Sequence, residues 1–168
     1  MSDEAIISGD YISNTFSTGT LKKTIKRVKQ VLLPLVNTFD TIAFRGMSGA
    51  LVAPSIAAKL EKDVILVRKQ GASHSSRICE GRVNAKRYVI IDDFVEYGTT
   101  VLNIISEIKK WQEQYQHTMS WLDETAKDFP LATCVGMVFY LHGEDTMTQR
   151  YKDLAAKLPY EIPCIRCG

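Results

Sequence analysis

Val89-Ile90-Ile91-Asp92-Asp93-Phe94-Val95-Glu96-Tyr97-Gly98-Thr99-Thr100 decides how this chain is read. Its first three residues form an unbroken β-branched run, the pattern of a strand buried on both faces. Two carboxylates stand where the run stops, and adjacent acids at the edge of an apolar strand are not expected to lie together in a core. After a short turn, Gly98-Thr99-Thr100 opens a helix and offers backbone N–H and hydroxyl donors at its positive end. Asp as a turn former and Thr as a cap would explain these residues one at a time. Taken together, acceptors suited to a diol beside an anion cup describe a site for a ribose 5-phosphate.

The flanking sequence repeats the same grammar. Thr41-Ile42-Ala43-Phe44-Arg45 and Asp63-Val64-Ile65-Leu66-Val67 read as strands, as does the apolar run Thr133–Leu141, and Ile162–Ile165 suggests a fifth short one. Helical spacing recurs in Leu21, Ile25, Val28 and Leu32, ended by Pro34, and in Leu102, Ile105 and Ile108 of a helix from Val101 to about Gln116. Gly49–Leu60 reads as an Ala-rich helix with Pro54 placed in its first turn, and Glu144–Leu158 as a last helix. Residues 68–86 show neither period. Residues 117–130 read as a helical extension or insertion. Strands and helices in alternation, with non-alternating apolar strands, predict an α/β fold. Its sheet is mostly parallel, five-stranded and flanked by helices. The chain reads as one domain over 1–168, with a core of about 36–141 and a small hood from the terminal segments.

Ligands of such sheets gather beyond the carboxyl ends of the strands. Two further strand ends carry chemistry there. Arg45-Gly46-Met47-Ser48-Gly49 brackets a strand-to-helix turn with glycines, and the absent Cβ lets backbone N–H groups approach an anion. It does not match a dinucleotide-binding GxGxxG. Arg68-Lys69 places two cations where the second strand stops, which suits a polyanion such as pyrophosphate. Lys22, Lys23, Lys26, Arg27 and Lys29 read as the wet face of an amphipathic helix, with a phosphate-attracting stripe as the alternative.

Composition removes whole classes. Of 168 residues, 45% are hydrophobic and 24% charged, which excludes a disordered or fibrous chain. The 21 basic and 19 acidic residues leave a net charge of +2, too balanced to point to nucleic acid. The apolar runs are too short to span a bilayer, and MSDEAIISGD lacks the order of a signal peptide. A cytoplasmic protein with no membrane partner is the expectation. Cys164 and Cys167 have metal-like spacing, but His74, His117 and His142 are scattered, so no zinc site is expected.

The central stretch resembles the signature of the type I phosphoribosyltransferases, which bind 5-phosphoribosyl 1-pyrophosphate (PRPP). In that likeness Asp92 and Asp93 match the acids that hold the ribose hydroxyls, and Glu96, Tyr97, Gly98, Thr99 and Thr100 match the loop around the 5-phosphate. Arg45 and Gly46 resemble the pyrophosphate loop. Val67–Gly71 is similar to the strand end of adenine phosphoribosyltransferases, where Arg68 and Lys69 would face pyrophosphate. Residues 72–86 fall where the family carries a catalytic lid, with Arg77, Glu80 and Arg82 as its charged candidates. The resemblance covers roughly residues 38–110. Three positions depart from the pattern. Glu96 is an acid where adenine-type enzymes have a small residue and hypoxanthine/guanine-type enzymes have a general base. Tyr97 replaces a usual threonine, and Thr99 a usual glycine or lysine.

The resemblance implies a purine-type enzyme. It would transfer ribose 5-phosphate from PRPP to a nucleobase with release of pyrophosphate, in nucleotide salvage, with Glu96 as catalytic base. Mg²⁺ is the implied cofactor, without direct protein ligands, and a homodimer the implied assembly. Phe16, Tyr140 or Tyr160 of the terminal segments would stack on the base. The alternative is a catalytically weak regulator of the same fold that binds PRPP or a nucleotide.

Overall fold

The computed structural model describes residues 17–69, 77–93, 98–121, 130–141 and 146–166. Helix α1 (Thr18–Leu32) is capped by Ser17, whose hydroxyl oxygen accepts the N–H of Thr20, so it starts a turn earlier than its apolar spacing suggests. A single 3-10 turn at Leu33–Leu35 follows, with Pro34 at its start. Then come β1 (Thr41–Arg45), α2 (Gly46–Leu60), β2 (Asp63–Val67), β3 (Cys79–Gly81) and β4 (Arg87–Asp92). The chain continues through α3 (Thr99–Met119), β5 (Thr133–Phe139), α4 (Thr146–Ala155) and β6 (Cys164–Arg166).

The strands form one sheet in the order β3-β2-β1-β4-β5-β6. All neighbours are parallel except β2 and β3. The sixth strand beyond the expected five is β3. It lies inside the run that shows no period, because three residues are too few to register one. Its pairing comes from β2, with Val67 opposite Cys79 and Ile65 opposite Gly81. The short strand expected near Ile162–Ile165 is present as the edge strand β6, and Leu154 and Ile162 are buried in the core.

Alternate residues of each strand feed two cores. Ala43, Ile65, Val67, Tyr88, Ile90, Met137 and Phe139 pack with Val101, Ile104 and Ile108 of α3. Ile42, Phe44, Val89, Ile91 and Val138 pack with Val28 and Leu32 of α1 and with Val52, Ala53, Ile56 and Leu60 of α2. A parallel sheet covered on both faces requires this double burial.

Helix α2 begins at Gly46, not Gly49, so Pro54 sits inside it and not in its first turn. Pro54 removes the hydrogen bond to the carbonyl of Ala50, and both residues lie on the exposed face, where water can satisfy that carbonyl. Polar clamps secure the parts away from the strands' carboxyl ends. Asp40 accepts the N–H groups of Lys86 and Arg87 and the hydroxyl of Thr41, while its own carbonyl takes the N–H of Asp63. Its side chain thereby gathers the starts of β1 and β4. Gln112 of α3 is fully buried and donates to the carbonyls of Val83 and Ala85, while its amide oxygen accepts the N–H of Ala132. Every polar group of that side chain's reach is thus used in joining α3 to the entries of β4 and β5. No helix among the described residues is long and apolar enough to cross a membrane.

Candidate active site

The chain leaves β1 through α2 to β2 on one side, and then places β4 on the other side of β1. The carboxyl ends of β1 and β4 are therefore the switch point, where α/β sheets hold ligands. Arg45 ends β1, Gly46 opens α2, Arg68 and Lys69 follow β2, Asp92 closes β4 and Asp93 follows it. Gly98 caps α3, with Thr99 and Thr100 exposed in its first turn. All these residues lie along one edge of the sheet. Glu96 and Tyr97 lie outside the described residues.

Gly98 has φ +74°, a left-handed conformation, and a Cβ there would stand 2.6 Å from Leu154 Cδ1. A side chain at this position would meet both strain and a buried leucine, so glycine is what allows α3 to start against α4. Gly49 is required for a different reason. A Cβ on it would lie 2.7 Å from Phe44 Cβ and 3.2 Å from the carbonyl of Ile91. Its absence lets the first turn of α2 settle onto β1 and β4. One result is that the Ser48 hydroxyl reaches Asp92 Oδ1 at 2.9 Å.

The acid pair differs from expectation. Asp92 and Asp93 are only 4% and 6% exposed, so both are buried. What makes this tolerable is local. Asp92 Oδ1 accepts the Ser48 hydroxyl and the Asp93 N–H at 3.0 Å. Burial, joined by the neighbouring Asp93 charge, pushes the Asp92 carboxyl up to about 7, while the hydrogen bonds from Ser48 and the Asp93 backbone oppose the rise. A proton held by Asp92 relieves its repulsion with the adjacent acid.

The cations divide. Lys69 is exposed, and its chain end lies over the turn: a Cβ on Gly46 would be 3.2 Å from Lys69 Cε and 3.7 Å from Nζ. Arg68 is instead drawn to β3, its Nε 3.0 Å from Glu80 Oε1. Arg82, another lid candidate, pairs with Asp63. Glu80 and Arg82 therefore belong to the stem beside β2. Residues 72–76 of the expected lid lie outside the described residues.

Of the aromatic candidates for a base, Tyr140 is buried at 1% exposure and donates its hydroxyl to the carbonyl of Ser48 at 2.8 Å. It is a packing and tethering residue. Tyr160 accepts the N–H of Cys134 near the start of β5, the far end from the acid pair. Phe16 lies outside the described residues. Ser48 carried no signal in the sequence beyond membership of the turn, and Arg27 read as wet helix face. Arg27 in fact turns inward and donates to the carbonyl of Tyr140 at 2.8 Å. Cys79, also near this edge, has its thiol pushed up to about 12 by burial, reinforced by Glu107 and opposed by Arg45, which leaves it a poor nucleophile.

This order of strands, with an acid pair ending β4 and a glycine-capped helix after it, makes the chain phosphoribosyltransferase-like in fold. Comparison with solved structures agrees. Adenine phosphoribosyltransferase from Saccharomyces cerevisiae superposes with a TM-score of 0.59 at 19% identity, covering 90% of this chain and 80% of that one. Orotate phosphoribosyltransferase from Aeropyrum pernix gives 0.56 at 12% identity, covering 89% and 71%. Among curated proteins, orotate phosphoribosyltransferase from Sulfolobus acidocaldarius is 27% identical over 100 residues, 59% of this chain and 51% of its own length. The transcriptional regulator GfcR from Methanocaldococcus jannaschii is 28% identical over 104 residues, 55% of this chain and 49% of its own. The chain spans about half the length of the curated relatives it matches. No protein-family model matches it.

Proposed function

We propose that the chain is a PRPP-dependent phosphoribosyltransferase that moves ribose 5-phosphate onto a nucleobase and releases pyrophosphate. The observation that carries the reading is the Asp92–Asp93 pair at the carboxyl end of β4, set between the glycine-capped start of α3 and the Arg45–Gly46 turn under Lys69. Asp92 and Asp93 accept hydrogen bonds from the ribose hydroxyls, which compensates two buried carboxylates better than any apolar neighbour would. Gly98, Thr99 and Thr100 cradle the 5-phosphate at the start of α3. Arg45, the Gly46 backbone and Lys69 face the pyrophosphate, whose charge grows as the bond to ribose breaks. Arg68 adds to them only by leaving Glu80.

Magnesium fits as an ion carried on pyrophosphate. Among the described residues no group of three or more His, Cys, Asp or Glu side chains gathers to hold a metal, and Asp92 Oδ1 is already engaged twice. When bound it would supply charge neutralisation to the leaving pyrophosphate. The base is read as a purine from the adenine-type frame around Arg45 and Val67–Gly71. Glu96 is read as the group that takes its proton. A homodimer in the cytoplasm completes the reading.

The GfcR relative favours a second reading, in which the same site senses PRPP or a nucleotide with little turnover. Pyrophosphate release from PRPP and Mg²⁺, measured across adenine, hypoxanthine, guanine, xanthine, orotate and uracil, separates the two. Release with a purine, lost in Asp93→Asn and Glu96→Gln, is the expected result. PRPP binding without release for any base would replace the enzyme by the sensor, and release with orotate alone would replace the purine.

A further inference from the structure

One closed set of hydrogen bonds joins the two sides of this site. The Ser48 hydroxyl, in the first turn of α2, donates to Asp92 Oδ1 at 2.9 Å. The Tyr140 hydroxyl, just beyond β5, donates to the Ser48 carbonyl at 2.8 Å. The Tyr140 N–H then donates to the Asp92 carbonyl at 3.2 Å, which closes the ring across α2, β5 and β4. Arg27 of α1 holds the Tyr140 carbonyl from outside at 2.8 Å. A tyrosine at 1% exposure needs a partner for its hydroxyl, but that partner need not lie in the turn beside Gly46.

We propose that Ser48 and Tyr140 are positioning residues for PRPP: they lock the turn bearing Arg45 and Gly46 to the acid pair, so that groups already in register meet the pyrophosphate and ribose halves. The inference rests on the reading of the site as a PRPP site. Neither side chain has to touch the ligand. The ribose and pyrophosphate of PRPP are joined covalently, so the ligand draws on both subsites at once only if their separation is held. A turn free to slide against β4 would still bind either fragment, and would forfeit the advantage of the joined molecule. Gly49 keeps the turn low enough for the ring to close, since a Cβ there would press on Phe44 and on the Ile91 carbonyl.

The test is calorimetric titration of wild type, Ser48→Ala, Ser48→Thr, Tyr140→Phe and the Ser48→Ala/Tyr140→Phe double variant. The ligands are PRPP with Mg²⁺, pyrophosphate with Mg²⁺, and ribose 5-phosphate. Loss of a hydrogen bond to a buried charged group should weaken PRPP binding about tenfold in Ser48→Ala, with a loss of similar order in Tyr140→Phe. Fragment affinities should move by less than about threefold in both, below the effect of one ordinary hydrogen bond. Ser48→Thr, which keeps the hydroxyl, should restore PRPP binding. The double variant should lose about as much as one single variant, because both break the same ring. Fragment affinities that fall as far as that of PRPP would signal general damage and overturn the inference, as would unchanged PRPP binding in both single variants. A wild type that binds neither PRPP nor its fragments would overturn the reading of the site itself.

Discussion

Replacing Asp92 by Asn should make the protein more stable at neutral pH, although Asp92 lies in the candidate site. The Asp92 carboxyl is pushed up to about 7 by burial and by Asp93. An aspartate in an unfolded chain titrates near 3.9, so the folded state holds this proton more tightly than the unfolded state does. Where the folded state binds more protons, stability falls with rising pH. Its contribution is fully present below about pH 4, declines from there through about pH 7, and is constant above. At ~1.4 kcal/mol per pH unit, the whole rise corresponds to roughly 4 kcal/mol, of which about 2–3 kcal/mol falls between pH 5 and pH 8. Asn has nearly the same shape, stays neutral, and keeps an oxygen for the Ser48 hydroxyl and the Asp93 N–H, both within 3.0 Å of Oδ1. Urea unfolding of wild type and Asp92→Asn at pH 5, 6, 7 and 8 gives the measurement. The difference in stability should shift by about 2–3 kcal/mol in favour of Asn from pH 5 to pH 8. Asp93→Asn should remove only part of the slope, because burial is the larger cause and the Asp93 charge the smaller. A difference independent of pH would refute the reasoning, since it would mean that Asp92 ionises in the fold at its ordinary value.

Gly49→Ala should destabilise by about 1–3 kcal/mol, the range for forcing a methyl into a packed contact, because its Cβ would stand 2.7 Å from Phe44 Cβ. Thermal unfolding reads the loss, and a fully stable variant would show that the turn of α2 can lift at no cost. Glu80→Gln should change stability by less than about 1 kcal/mol, as expected for an ion pair this exposed. It should also strengthen pyrophosphate binding by freeing Arg68, a gain that shrinks with added salt; weaker binding would show that Glu80 holds Arg68 in place for the anion. With Cys164 and Cys167 changed to Ser, Cys79 and Cys134 should resist a thiol reagent at pH 8 until urea is added, since burial pushes both thiols up to about 12. Prompt reaction of either in the native protein would contradict their burial.

The sequence by itself determined most of the elements and the edge on which the candidate site residues collect. Unbroken apolar runs such as Val89–Ile91 announce buried parallel strands, because a strand covered on both faces cannot alternate. Polar residues that stop those runs fall at the strands' carboxyl ends, so Arg45, Lys69, Asp92 and Gly98 could be placed together from one dimension. The short β3 and the start of α2 escaped because three residues show no period and because Pro54 seemed to demand an early position. Only the tertiary structure decided the partners. Ser48 meets Asp92 across 44 positions, Tyr140 meets Ser48 across 92, and Arg27 meets Tyr140 across 113. No local pattern encodes such pairs, since they arise from the register of segments brought side by side by the sheet. The same register buries both acids and gives Glu80 the guanidinium of Arg68, which the strand end alone had seemed to offer to an anion.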